Sequence, residues 1–173
     1  MSEQGQPASP AAEVSVAEFK RAVGSFATGV TVVTVCDRRG RFHGFTANSF
    51  ASVSLDPPMV LVCLHRQSPS LDGFAIGGAF AVNILGAHQL DISGHFARHH
   101  DDKFAGIRHR PGRTGAPVLN GCHAVVECRL EHWYHGGDHV ILLARAESAV
   151  TSECEPLVFH RSRYASLPAP ETA

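Results

Sequence analysis

Two long runs of strand-forming residues, Cys122–Tyr134 and Asp138–Val150, are separated only by His135-Gly136-Gly137. A link that short joins antiparallel neighbours, because parallel strands need a crossover of about a dozen residues or more. The pattern recurs upstream. Val30–Cys36, rich in β-branched residues, is followed by Asp-Arg-Arg-Gly at 37–40 and a second run, Arg41–Ala47, which predicts a β-hairpin. Met59–Leu64, after Pro57-Pro58, reads as an apolar strand buried on both faces, Ala79–Leu85 as another and Leu157–His160 as a last one. Six or more strands, mostly joined as hairpins and accompanied by two or three helices, predict a mainly β, α+β fold: an antiparallel barrel with helices packed outside.

The helices announce themselves by their caps. Ser15 and Glu18 have capping-box spacing, and Val16, Phe19, Val23 and Phe26 recur near the helical period, so a helix is expected over 16–26, broken at Thr28-Gly29. Ser68-Pro69-Ser70 sets a capping hydroxyl before a proline at the first helical position, predicting a helix to about Ile76 that ends at Gly77-Gly78. Gln89–His100 reads as a third helix with Leu90, Ile92 and Phe96 on its apolar side, and residues 105–117 as a long Gly/Pro-rich loop. Residues 1–13 and 167–173 read as disordered tails around one folded unit, 14–166.

Charge and composition exclude several classes of function. Fifteen Lys and Arg against sixteen Asp and Glu give a net charge of −1, which argues against a nucleic-acid partner. The longest apolar stretch is far below the roughly 18 residues of a membrane span. The first ten residues lack the basic and apolar regions of a secretory signal, so a cytoplasmic location is expected. Five cysteines without a CxxC pair read as small buried hydrophobes in a reducing compartment. Twelve histidines raise the question of a metal. His132 and His135 would face opposite sides of a strand, His135 and His139 would lie about 13 Å apart unless the turn folds them together, and His95 and His99 lack a third ligand, so none is expected. His139, between Asp138 and Val-Ile-Leu-Leu, is the histidine expected to line a pocket. There is no P-loop, no GxSxG, and no GxGxxG leading from a strand into a helix.

Two segments could carry recognition chemistry. Gly44–Ser54 crowds small hydroxyl residues and one amide where strand becomes loop, so short donors could meet a planar heteroaromatic or a phosphate; an ordinary polar loop has the same composition. Ser68-Pro69-Ser70 could hold an anion at a helix N-terminus, with Arg66 two residues upstream, or could serve only as a cap.

Taken in order, the segments Ala27–Thr34, Gly44–Pro58, Phe80–Leu85, Gly115–Leu119, Gly136–His139 and Phe159–Tyr164 resemble the short-chain flavin reductase family, the reductase components of two-component flavin-dependent monooxygenases. The resemblance runs from about Phe19 to Leu167. It implies a split β-barrel homodimer that binds FMN or FAD, oxidises NADH or NADPH, and serves a flavin-dependent oxygenase component. Position by position, it implies that Thr46, Ala47, Asn48, Ser49, Phe50 and Ser52 contact the flavin, backed by Cys63 and Leu64, with Asn83 also at the cofactor. Ser68 and Ser70 would hold phosphate, and Phe96 and Phe104 would stack on an adenine. Thr28, Gly29, His139, Arg161, Arg163 and Tyr164 would approach the nicotinamide nucleotide, His139 orienting it without taking a proton. Pro69 departs from the family, which often has a basic residue between the two hydroxyls. The flavin carries the electronics, so the protein need only stack two rings and orient them. The alternative is a flavin-binding module without nicotinamide turnover. FMN versus FAD and NADH versus NADPH stay open, with Arg108, Arg110 and Arg113 as candidates for a 2′-phosphate.

Overall fold

A computed structural model describes residues 13–100 and 102–167, so the expected tails fall almost wholly outside the described residues. The elements in chain order are α1 (Val16–Val23), β1 (Thr28–Gly29), β2 (Thr31–Cys36), β3 (Phe42–Ala47), β4 (Ala51–Leu55), β5 (Pro58–His65), β6 (Ala79–Ile84), α2 (Leu90–Ala97), β7 (His109–Pro111), β8 (Pro117–Leu119), β9 (Ala124–Gly136), β10 (His139–Thr151), β11 (Val158–His160) and β12 (Arg163–Ala165).

Seven strands form one antiparallel sheet in the order β3-β2-β6-β9-β10-β5-β4. The two edges, β3 and β4, are consecutive in sequence, with only residues 48–50 between them. Seven flat strands would hold their edges about 29 Å apart, whereas the link from Ala47 to Ala51 reaches about 14 Å. The sheet must therefore curl toward closure, an open barrel as expected. Its interior is filled by Val33, Val35, Val62, Phe80, Val82, Cys128, Leu130 and Leu142. A second core, built on Val32, Leu85, Phe96, Phe104, Val118 and Leu157, lies where α2 and the 104–119 segment cover the outer face.

Four local expectations are corrected. The segment after Asn48, expected to be polar loop, forms the edge strand β4. On β5, Val60, Val62 and Leu64 are buried while Met59, Leu61 and Cys63 are half-buried, because an antiparallel sheet packs one face fully and covers the other in part. The helix expected from Ser68 to Ile76 is a 3-10 turn, Pro69–Gly73. Phe74 leaves the helical path to reach the core, its ring centroid 5.5 Å from Phe80 and 6.1 Å from Phe45. The loop at 105–117 contains β7 and reaches β8, and buried polar groups tie it down: Thr34 donates to the Pro117 carbonyl, and Glu127 accepts from the Thr114 amide and hydroxyl, each at 2.8 Å.

Candidate functional site

Along β5 the site is assembled by pairing. The Ser49 hydroxyl donates to the Cys63 carbonyl and accepts from the Cys63 amide, both at 3.0 Å, which pins the β3–β4 crossover onto β5. Two residues on, His65 pairs in register with His139 of β10, their rings edge to face at 5.3 Å. Asp138 Oδ1 lies 2.7 Å from His139 Nδ1, and that hydrogen bond, reinforced by the charges of His139 and His65, holds the Asp138 carboxyl below its ordinary range. The Arg66 amide donates to the Asp138 carbonyl at 3.0 Å, fixing the β9–β10 turn against the end of β5. His139 is therefore oriented from two sides while its ring stays half-exposed.

A second line of contacts starts at Thr46, whose hydroxyl donates to the Ser93 carbonyl of α2 at 2.7 Å. The Ser93 hydroxyl lies 2.8 Å from Tyr164 Oη; Tyr164 pairs with Phe159, and Phe159 with Thr28. The segment expected at the flavin and the strands expected at the nicotinamide thus adjoin through Ser93. Thr28 Oγ1 is, among the described residues, the one buried side-chain polar atom without a hydrogen-bond partner. An unmade bond of that kind costs about 1–3 kcal/mol, so it marks a place where a ligand could complete the shell.

The other expected positions divide. Asn48 and Ser52 are exposed at the crossover, Ala47 and Phe50 pack in part against the core, Cys63 is half-buried, and Leu64 lies in the core behind the site. Gly29, Arg161 and Arg163 are exposed beside Thr28 and Tyr164. Ser68 accepts the Ser70 amide, and the buried Ser70 hydroxyl donates to the Gly44 carbonyl at 3.1 Å, so a phosphate here would meet one tight turn rather than a full helix N-terminus.

Asn83, Phe96 and Phe104 do not face the site. The Asn83 amide donates to Val32 O and Thr34 Oγ1 and accepts from the Leu119 amide, each at 2.9 Å, inside a fully buried shell. Its polar atoms hold β8 to β2. Phe96 and Phe104 pack on each other at 5.3 Å within the second core, so neither ring is open to an adenine.

Three residues escaped the sequence reading. Ser93 is a fully buried hydroxyl on the packed face of α2, next to Phe96 in the helical repeat. His65 directly follows an apolar run. Lys103 donates from Nζ to the carbonyls of Gly44 and Phe96 at 3.0 and 2.9 Å, bracing β3 against α2, and burial lowers its pKa.

Among the described residues no three His, Cys, Asp or Glu side chains converge as metal ligands, and no described helix is long and apolar enough to cross a membrane.

Residues 23–168 match the profile of the flavin reductase like domain. The chain is 45 % identical over 146 residues to a probable flavin reductase of Rhizobium meliloti (strain 1021), covering 84 % of this chain but 47 % of that protein, so it spans about half that relative's length. It is 35 % identical to the reductase subunit HsaB of a flavin-dependent monooxygenase of Mycobacterium tuberculosis (strain ATCC 25618 / H37Rv), over 93 % of this chain and 87 % of that one. The fold superposes with a TM-score of 0.84, at 36 % identity and covering 90 % and 94 % of the two chains, on the NADH:FAD oxidoreductase SgcE6 of Streptomyces globisporus C-1027, solved with NAD and FAD fragments. Over the length that builds its barrel and its site, this chain belongs to the flavin reductase-like domain family.

Proposed function

We propose that the protein is an NAD(P)H:flavin oxidoreductase that delivers reduced FMN or FAD to an oxygenase component, and that it works as a homodimer in the cytoplasm. The observation that carries this reading is the junction at Ser93, where the Thr46 crossover and the Thr28–Tyr164 strands meet with one buried hydroxyl unpartnered. Two stacked rings need such adjoining surfaces, one for each. The family membership and the SgcE6 structure, solved with NAD and FAD fragments, support the same assignment.

The bound flavin supplies hydride acceptance from the nicotinamide and carries the electrons away on release. The protein's part is orientation. Asn48 and Ser52, exposed at the crossover, would hold the flavin ring and ribityl chain, with Cys63 and Leu64 behind them. His139, braced by Asp138 and His65, would orient the nicotinamide nucleotide, and Thr28 Oγ1 would gain its missing partner from it. The chain needs no acid–base pair for this transfer.

For the dimer, α1 supports the reading: it buries none of its residues in the single chain and leaves Val16, Phe19 and Val23 exposed, with Phe26 just beyond it. Five free thiols suit a reducing compartment. The deciding experiment is steady-state oxidation of NADH and NADPH with added FMN or FAD. Saturable, flavin-dependent turnover is expected; flavin binding without turnover would replace this reading with a flavin-binding module.

A further inference from the structure

At the corner where β5 ends and β10 begins, two imidazole rings share one face of the sheet. His65 and His139 are register partners and meet edge to face, their centroids 5.3 Å apart. By strand alternation they stand on the face of Cys63 and Ile141, opposite the core residues Leu64 and Val140. Cys63 is the residue that Ser49 pins to the β3–β4 crossover, so His65 stands about 7 Å along β5 from the surface proposed to hold the flavin.

Hydrogen-bond partners assign the hydrogen of each ring. The Gln67 amide donates to His65 Nδ1 at 3.2 Å, and a ring nitrogen that accepts holds no hydrogen, so that of His65 is on Nε2. His139 Nδ1 faces Asp138 Oδ1 at 2.7 Å. That carboxylate, held ionised, can only accept, so Nδ1–H donates and Nε2 of the neutral ring offers a lone pair. The fold uses neither Nε2. Among the described residues neither has a hydrogen-bond partner, and the β9–β10 turn is already tied to β5 by the Arg66 amide on the Asp138 carbonyl at 3.0 Å and by Arg66 Nη1 on the Gly137 carbonyl at 3.4 Å. His65 is exposed and the His139 side chain is 44 % exposed, so both rings are open to a ligand. A donor beside an acceptor matches a primary carboxamide, which presents a carbonyl oxygen and an N–H2 group on one planar fork. Each Nε2 lies little more than a bond length from its ring centroid, so the pair falls within the span of one amide and its two hydrogen bonds.

We infer that His65 is a recognition residue for the nicotinamide carboxamide, donating from Nε2 to its oxygen while His139 Nε2 accepts from its N–H2, and that the pair selects dinucleotides whose carboxamide is intact. The inference deepens the reductase reading and rests on it for the ligand. Two bonds to one amide fix the rotation of the pyridine ring over the flavin, where a single bond would leave it free to turn.

The test needs no turnover. Calorimetry on the full chain with saturating FMN or FAD measures binding of NAD+, of its 3-acetylpyridine analogue, which keeps the carbonyl but lacks the N–H2, and of ADP-ribose, which lacks the ring. His65→Ala is expected to weaken NAD+ and the analogue alike, by about 3- to 10-fold, the scale of one neutral hydrogen bond, and to leave ADP-ribose unchanged. His65→Gln, whose amide restores a donor, is expected to recover most of that loss, and His139→Ala to erase the preference for NAD+ over the analogue. A loss shared equally by ADP-ribose would show that His65 only shapes the fold. Unchanged NAD+ affinity, His65→Gln no better than His65→Ala, or no binding of NAD+ by the wild type would each overturn the inference. So would a loss of flavin affinity in its place, which would give the pair to the flavin's pyrimidine edge. Failure of the reductase reading registers separately, as absence of flavin-dependent NAD(P)H oxidation by the wild type.

Discussion

Ser162 holds its backbone at φ +61° with a side chain attached. A left-handed conformation costs a non-glycine residue about 1–2 kcal/mol, and glycine's looser unfolded chain returns about 0.4–1 of that. Ser162→Gly is therefore expected to stabilise the fold by about 0.5–1 kcal/mol, read as a higher melting temperature; a lower one would show that the hydroxyl is worth more to the fold than the strain. His139 lies at the opposite extreme, a residue with two intrachain supports and an open face. His139→Ala should raise KM for the nicotinamide about 3- to 10-fold, the loss of one ordinary hydrogen bond, with kcat changed little because no proton passes through the ring. Unchanged KM and kcat would remove it from the site. Asn83 shows why a residue in a matching segment need not touch a ligand: a buried amide satisfied on both donors and its acceptor has its use inside the fold.

Among elements, the close approach of α2 to β3 governs the site, because Ser93 and Thr46 meet there. Gly44 makes it possible. A Cβ at that position would lie 2.7 Å from Phe96 Cε1, and Phe96 cannot yield, being fully buried against Phe104. Gly44→Ala should destabilise the protein by about 1–3 kcal/mol through overpacking and lower flavin-dependent turnover by shifting Ser93; a melting temperature and kcat both equal to wild type would mean that α2 is free to slide. The sequence showed the hairpins because runs rich in strand-forming residues are joined by short polar or glycine links, and it showed α1 through its capping box, present in the structure with the Ser15 hydroxyl accepting from the Glu18 amide. It hid β4, whose Ala-Ser-Val-Ser-Leu sits on an edge and is exposed almost throughout. It also hid β7 and β8, which are three residues each and are positioned by Asn83, Thr34 and Glu127 from distant strands. Ser93 was illegible for a related reason: a lone hydroxyl on a helix's packed face carries no periodic signal, and only its partners on β3 and β12 give it meaning.

On the scale of the whole molecule, the segment over the outer face of the barrel and the bare face of α1 make two separate demands. Glu127 clamps Thr114 and so holds that segment down. Burial alone would raise its carboxyl, but hydrogen bonds from Thr114 and the Arg113 backbone, with the charge of Arg110, prevail and lower it from its ordinary 4.5. A carboxyl lowered by folding contributes stability that is present above its unfolded pKa and lost as pH falls through the folded one. Melting temperatures should therefore drop below about pH 4.5, with a shallower drop in Glu127→Gln; equal slopes would assign the acid lability to other carboxylates. The second demand concerns assembly. A capped helix with Phe19 at 55 % and Val23 at 51 % exposure leaves about half of each apolar side chain in water, worth about 0.8–1.5 kcal/mol apiece on burial, and the barrel of the same chain buries none of them fully. A second copy would meet that demand with the same surface twice, the geometry of a two-fold dimer. Phe19→Glu would leave the cap and the helix intact while placing a charge at the centre of the face. Light scattering should show the wild type as a dimer and Phe19→Glu as a monomer at micromolar concentration, a weakening of about tenfold to a hundredfold if burial of the exposed halves of two phenylalanines, one from each copy, is lost. A monomeric wild type, or a variant that stays dimeric, would place the contact elsewhere on the barrel.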